Sequence, residues 1–95
     1  MILHDAATIE RYTAAGFWGH KTLLDLLAQH VADVPQRPCI VDTPDRAELV
    51  GTPATSVTWQ QFGAAVDAIA TGLLRQGLQK EEVVVAQLPN VWELM

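Results

Sequence analysis

The sequence predicts an α/β fold in which helices pack on a mixed, largely parallel sheet. Two stretches, one from Leu23 to Ala32 and one from Trp59 onward, place apolar residues at helical spacing behind a capping residue. A third stretch, Val83–Ala86, is a continuous and mostly β-branched apolar run. Such runs are typical of strands that are buried on both faces of a parallel sheet covered by helices.

The first 21 residues are predicted to be an irregular N-terminal segment that holds at most a short helix. Thr8–Ala15 is long enough for about two helical turns, and Gly16 is placed to end them. Phe17 and Trp18 follow between two glycines. We expect these two rings to cover a core surface.

Two helices carry explicit start signals. Thr22 is followed three residues later by Asp25, and Thr58 is followed three residues later by Gln61. Both pairs fit a capping box, in which the two residues bond to each other's backbone amides. Gly77 is well placed to end the second helix in a left-handed conformation.

Shorter elements are expected between and after these helices. Cys39–Val41 is an apolar run after Pro38, and we interpret it as a strand that Glu48–Gly51 continues into a hairpin.

A third helix is predicted from about Val91, because Asn90 resembles an N-cap with Glu93 three residues later. The sequence ends at Met95, barely one turn into that helix. One turn does not offset the cost of helix nucleation. We therefore expect that residues 1–95 are the truncated N-terminal part of a larger domain.

Composition excludes several classes of protein. The chain has 95 residues, of which 49% are apolar and 18% charged, and it carries a net charge of −5. This composition is that of a folded domain, and the negative charge argues against nucleic acid as a partner. No apolar stretch suggests a secretory signal or a membrane span. A single cysteine, Cys39, excludes an internal disulfide. The cytoplasm is the predicted compartment.

Few residues of the chain carry a chemical signal. Gly51–Ser56 is the nearest approach to a phosphate-binding loop, but it has one glycine and no lysine follows it, so we interpret it as a connecting loop. The histidines lack metal-ligand spacing, and Cys39 has no neighbouring base. We therefore predict no catalytic, cofactor-binding or metal-binding residue. The remaining polar or aromatic candidates are interpreted as solvated loop carboxylates (Asp42, Asp45, Glu48), scattered histidines (His4, His20, His30) and packing tryptophans (Trp18, Trp59, Trp92).

Several stretches resemble the N-terminal region of the adenylate-forming, AMP-binding family of acyl-CoA synthetases and aryl-acid–CoA ligases. Arg11–Trp18 with Thr22–Asp25 looks like the first segment of that family, and Ser56–Phe62 looks like its first core motif. Val83–Leu94 is similar to its strand and Pro-Asn turn. The chain departs from the family at Lys80–Glu82, where Pro-Gly-Asp is common.

The resemblance implies a two-step reaction that the whole enzyme would perform. A carboxylate attacks the α-phosphorus of ATP to give acyl-AMP and pyrophosphate, and the thiol of coenzyme A then displaces AMP. It also implies Mg²⁺ as a cofactor, a carboxylic acid as the substrate, and a role in fatty-acid or related acid metabolism. The residues that would handle ATP, Mg²⁺ and coenzyme A would lie beyond Met95, so residues 1–95 alone are predicted to be inactive.

Two other functions remain open at this point. The chain could belong to a free-standing adenylation module that loads a carrier protein instead of coenzyme A. It could also be a complete small interaction protein without catalytic activity. The sequence carries no signal for an oligomeric state, but the apolar run at Val83–Ala86 predicts that the isolated chain is marginally stable or self-associates.

Overall fold

A computed structural model describes residues 3–95, so residues 1 and 2 of the N-terminal segment lie outside the described part of the chain. The described elements alternate between helices and short strands. In chain order they are α1 (Ala6–Ala14), α2 (Leu23–Asp33), β1 (Pro38–Val41), α3 (Arg46–Val50), β2 (Ser56–Thr58), α4 (Trp59–Arg75) and a 3₁₀ helix (Trp92–Leu94).

Both capping boxes are confirmed. The backbone amide of Thr22 donates to the carboxylate of Asp25 at 2.7 Å, and the amide of Asp25 donates back to the threonine hydroxyl at 3.2 Å. Thr58 and Gln61 make the same reciprocal pair at 2.9 and 3.3 Å. Gly77 follows α4 with a φ of 93°, the left-handed conformation that ends a helix at low cost for glycine. Local chemistry therefore sets the starts of α2 and α4 and the end of α4.

Replacing Thr58 with alanine is expected to lower the free energy of unfolding by about 1 kcal/mol, because the amide of Gln61 loses its hydroxyl acceptor. For a chain of this size that loss corresponds to a melting temperature lower by roughly 4–8 °C. Thermal unfolding followed by circular dichroism measures the shift. Thr55→Ala, at an exposed threonine ahead of β2, is the matched control and should change little.

The described sheet consists of two antiparallel strands. Val41 pairs with Ser56 and Ile40 with Val57, and a bulge between Pro38 and Ile40 leaves Cys39 as the extra residue. The prediction of a strand at Cys39–Val41 is confirmed.

The prediction of a buried strand at Val83–Ala86 is wrong for the described chain. That segment forms no strand, and Val83 and Val85 are 78% and 86% exposed. A β-branched run supplies the propensity for a strand, but a strand also requires a hydrogen-bonded neighbour. No hydrogen bond in the described part of the chain involves the backbone of residues 83–88. The largely parallel sheet is accordingly not found among residues 3–95.

The short helix expected in the N-terminal segment is present as α1, which begins before Thr8 because Asp5 caps it through the amide of Thr8. Two further expectations need correction. The hairpin expected at Glu48–Gly51 is instead the short helix α3, which ends where Gly51 adopts a φ of 75°. The third helix is a single 3₁₀ turn, and it follows Val91 without a side-chain cap from Asn90.

The core of the described chain is small. Helix α4 packs on α2 and on both strands, yet Val57 and Val91 are the only apolar side chains buried among residues 3–95. The radius of gyration is 17.1 Å, against about 12 Å for a compact domain of this length. Large apolar faces therefore remain open to solvent. None of the helices in residues 3–95 combines the length and the apolar character needed to cross a membrane.

Candidate functional site

The most tightly organised polar group in the described chain lies where β1 leads into α3. Asp42 follows β1 directly, and its side chain is fully buried. Its interpretation as a solvated loop carboxylate is therefore wrong. Asp45 accepts a hydrogen bond from the hydroxyl of Thr43 in the turn before α3, and Glu48 lies exposed on α3. The three carboxylates are close in sequence, but their surroundings in the structure differ.

Arg46 is the centre of this group. One guanidinium nitrogen, Nη1, donates to Asp42 at 2.7 Å and to Glu93 at 2.8 Å. The other, Nη2, donates to the second oxygen of Glu93 at 2.7 Å, and Nε donates to the hydroxyl of Thr52 at 2.9 Å. The contact with Glu93 is thus the paired, parallel arrangement that arginine makes with carboxylates. We call Asp42, Arg46 and Glu93 the Arg46 cluster.

Backbone groups orient the buried carboxylate of the cluster. Asp42 accepts from the amide of Thr43 and from the amide of Trp92, each at 3.2 Å. The four-residue spacing from Asp42 to Arg46 brings their side chains together around the turn into α3. Glu93 arrives from the far end of the chain on the 3₁₀ helix. The cluster therefore joins two segments that are 47 residues apart.

The electrostatics of the cluster favour its charged form. Hydrogen bonds from the guanidinium of Arg46 hold the pKa of Glu93 below its ordinary value, and those same bonds raise the pKa of Arg46. Every nitrogen of the guanidinium donates to an oxygen of this chain. The arrangement can hold two segments together, and its guanidinium and its two carboxylates are engaged with one another.

Acidification is expected to weaken the contribution of Glu93 to stability. Because the pKa of Glu93 is lower in the folded chain than its ordinary value of 4.5, its contribution is complete above pH 4.5 and disappears as the pH falls through the folded pKa. Urea unfolding between neutral pH and about pH 3 measures this dependence. Glu93→Gln should lose less stability on acidification than the parent chain, whereas Glu48→Gln, at an exposed glutamate, should behave like the parent.

The lone cysteine lies in the β-bulge of β1, and its side chain contacts β2. Its Sγ donates to the carbonyl oxygen of Val57 at 3.3 Å, and burial raises the pKa of the Cys39 thiol. A raised pKa keeps the thiol protonated at neutral pH, which disfavours nucleophilic chemistry. The interpretation of Cys39 as a packed strand residue agrees with this placement.

The Gly51–Ser56 loop, which was considered for phosphate binding, connects α3 to β2 and contacts Arg46. Gly51 ends α3, and the hydroxyl of Thr52 accepts a hydrogen bond from Arg46. Ser56 begins β2. The loop contains no lysine, and no three His, Cys, Asp or Glu side chains among residues 3–95 are grouped to hold a metal ion.

The histidines and tryptophans are distributed over separate packing contacts. His30 Nδ1 lies 2.8 Å from the carbonyl oxygen of Leu26, and the His30 ring lies 4.4 Å from that of Trp59 at the start of α4. Trp18 stacks on Tyr12 at 5.0 Å between ring centroids. Trp59 therefore packs at the contact between α2 and α4, which agrees with its interpretation as a packing residue. Trp18 lies in a different contact.

The sequence reasoning missed Arg46 and the role of Glu93. The available signal was the four-residue spacing of Asp42 and Arg46, which places opposite charges together when the intervening residues turn. Nothing in the sequence linked Glu93 to this pair, because its position depends on the path of residues 76–92. Only the folded chain brings the third member to the cluster.

Comparison with known proteins gives a consistent family. A family model described as "AMP-binding enzyme" matches residues 8–95. The 2-hydroxy-7-methoxy-5-methyl-1-naphthoate–CoA ligase of Streptomyces carzinostaticus is 35% identical over 83 residues, which are 87% of this chain and 13% of that protein. No solved structure matches the chain.

Two further relatives match shorter stretches. The L-2-aminoadipate reductase of Schizosaccharomyces pombe is 33% identical over 61 residues, which are 64% of this chain and 4% of that protein. Protein Y of Streptomyces griseus is 42% identical over 40 residues, which are 42% of this chain and 13% of that protein. The chain therefore spans only a small part of the length of the relatives it matches.

Proposed function

The chain belongs to the AMP-binding enzyme family, and from this premise we propose that residues 1–95 are the N-terminal part of the large domain of an AMP-forming acid–CoA ligase. The whole enzyme would join a carboxylate to the α-phosphorus of ATP, with pyrophosphate as the leaving group. The thiol of coenzyme A would then displace AMP and form the thioester. Mg²⁺ would offset the phosphate charge during the first step.

The family match over residues 8–95 carries this proposal. One relative, which aligns with 87% of this chain, is named as a naphthoate–CoA ligase, and this favours coenzyme A as the acceptor and an aryl or acyl carboxylate as the substrate. Another relative is named as a reductase. An experiment that identifies the acceptor of the acyl group therefore discriminates best between the proposed ligase and its alternatives.

Within such an enzyme, this segment would be part of the scaffold. Its best-ordered polar group, the Arg46 cluster, is satisfied internally, and its open apolar faces suit packing against further elements of the same domain. The Val83–Ala86 run would become a strand once neighbouring strands supplied hydrogen bonds. We place no catalytic residue in this segment, and the cytoplasm stays our predicted compartment.

The decisive experiment begins with the intact mass of the polypeptide purified from its source. The proposal expects a mass several-fold above the 10.4 kDa of this chain and exchange of pyrophosphate into ATP that depends on an added carboxylic acid. A panel of aromatic and aliphatic acids identifies the substrate class. The 95-residue chain alone is the control, and it should give no exchange above background.

The second step separates the proposal from its alternatives. Formation of an acyl-CoA thioester supports the ligase, whereas labelling of a carrier protein without acyl-CoA overturns the choice of acceptor. A native mass of 10.4 kDa without exchange activity would overturn the enzyme itself. The search would then turn to protein partners for its open apolar faces.

A further inference from the structure

Residues 91–95 contact the rest of the chain after a long stretch without helix or strand. Helix α4 ends at Arg75, and Gly77 and Leu78 return hydrogen bonds to its last turn. From Val83 to Leu88 the backbone makes no hydrogen bond within the described chain, and the valines of this stretch are exposed. The next anchored residue is Val91, which is 6% exposed.

The contacts that hold residues 91–95 are of two kinds. Val91 buries an apolar side chain, and such burial is non-directional, so it does not by itself select one position along the chain. The directional contacts come from the next two residues. The amide of Trp92 donates to Asp42, and both oxygens of Glu93 accept from the two Nη atoms of Arg46.

We propose that Arg46 is a latch that fixes the position of residues 91–95 on the turn between β1 and α3. Its planar guanidinium donates two parallel hydrogen bonds, so it binds a carboxylate in one orientation, whereas the single ammonium group of lysine does not require that orientation. The amide of Trp92 bonds to the same Asp42 carboxylate that Arg46 holds. A shift of the segment by one residue would break both contacts together.

The latch acts through position more than through stability. Asp42 and Arg46 are buried, while the Glu93 side chain is 37% exposed. Removing ions from water offsets much of the attraction between them, so such a cluster is weak evidence for a large gain in stability. Polar groups in such places can instead select one arrangement among several that apolar contacts allow. For this chain, the arrangement selected is the one in which residues 91–95 hold the C-terminal end of the unpaired stretch Val83–Leu88 at the turn between β1 and α3. This inference does not depend on the proposed enzymatic function.

Hydrogen exchange in the 95-residue chain tests the latch residue by residue. The amides of Trp92, Leu94 and Met95 each donate a hydrogen bond in this segment. Arg46→Met should speed their exchange by at least about tenfold, while the interior of α4 changes by less. Arg46→Lys should give exchange rates at these amides between those of the parent chain and those of Arg46→Met, because lysine keeps the charge and loses the paired hydrogen bonds.

A matched variant and a second substitution keep the test decisive. Lys21→Met removes a cation of similar length that bonds only to the exposed Gln29 at 3.1 Å, and it should leave exchange at residues 92–95 unchanged. If Arg46→Met leaves exchange at those amides unchanged, the latch is refuted. It is refuted equally if Arg46→Met and the milder Glu93→Gln both accelerate α4 as much as residues 92–95, since the cluster would then support the whole fold.

Discussion

Replacing Gly63 with leucine is expected to separate α2 from α4 and to lower the free energy of unfolding by about 1–3 kcal/mol. Gly63 lies on the face of α4 that meets α2, and a Cβ atom there would lie 2.9 Å from a methyl carbon of Val31. Valine has one strongly preferred rotamer in a helix, so this methyl group has little freedom to move aside. The two helices must therefore move apart, and they form the main helix contact of the chain.

The same helix offers a control that removes the effect of helix propensity. Gly72 also lies in α4, but a Cβ atom there would meet nothing within 4 Å. Gly72→Leu should stabilise the chain by up to about 1 kcal/mol, because glycine is a poor helix former. Urea unfolding of both variants measures the contrast. Equal stabilisation by the two leucines would show that α2 does not pack closely on α4 in solution.

Val85→Lys is expected to weaken self-association of the isolated chain by at least about tenfold, which corresponds to 1.4 kcal/mol. Val85 is 86% exposed in a stretch whose backbone is unpaired within the described chain. Exposed β-branched segments with free hydrogen-bonding groups pair with other chains, and lysine is the residue with which natural proteins block such edges. Sedimentation velocity over a range of concentrations measures the change.

The control for this experiment tests whether self-association occurs through residues 83–88. Leu74 is 68% exposed on α4, so Leu74→Lys makes the same change of an apolar surface residue to lysine elsewhere. It should weaken self-association less than Val85→Lys. A parent chain that stays monomeric at all concentrations, or an equal effect of the two lysines, would contradict pairing through residues 83–88.

Short-range signals predicted the helices well because their determinants are close in sequence. The capping boxes at Thr22 and Thr58 each join residues three apart, and both were found as expected. The weak helix α3 was missed, since five residues give too little periodicity to distinguish a helix from a turn. The run at Val83–Ala86 is the opposite case, in which the local signal for a strand is strong and yet no strand forms. Its strand propensity is clear, but the partners that would pair with it are not among the described residues.

The sequence by itself therefore determined the starts of α2 and α4, the left-handed end at Gly77 and the membership of a family. Each of the structural features depends on hydrogen bonds and dihedral preferences within about four residues. The tertiary structure alone decided that Asp42 is buried and that Arg46 joins it to Glu93, 47 residues away. A contact over that separation exists only after the intervening helices and loops have closed the chain upon itself, and no local pattern encodes that closure.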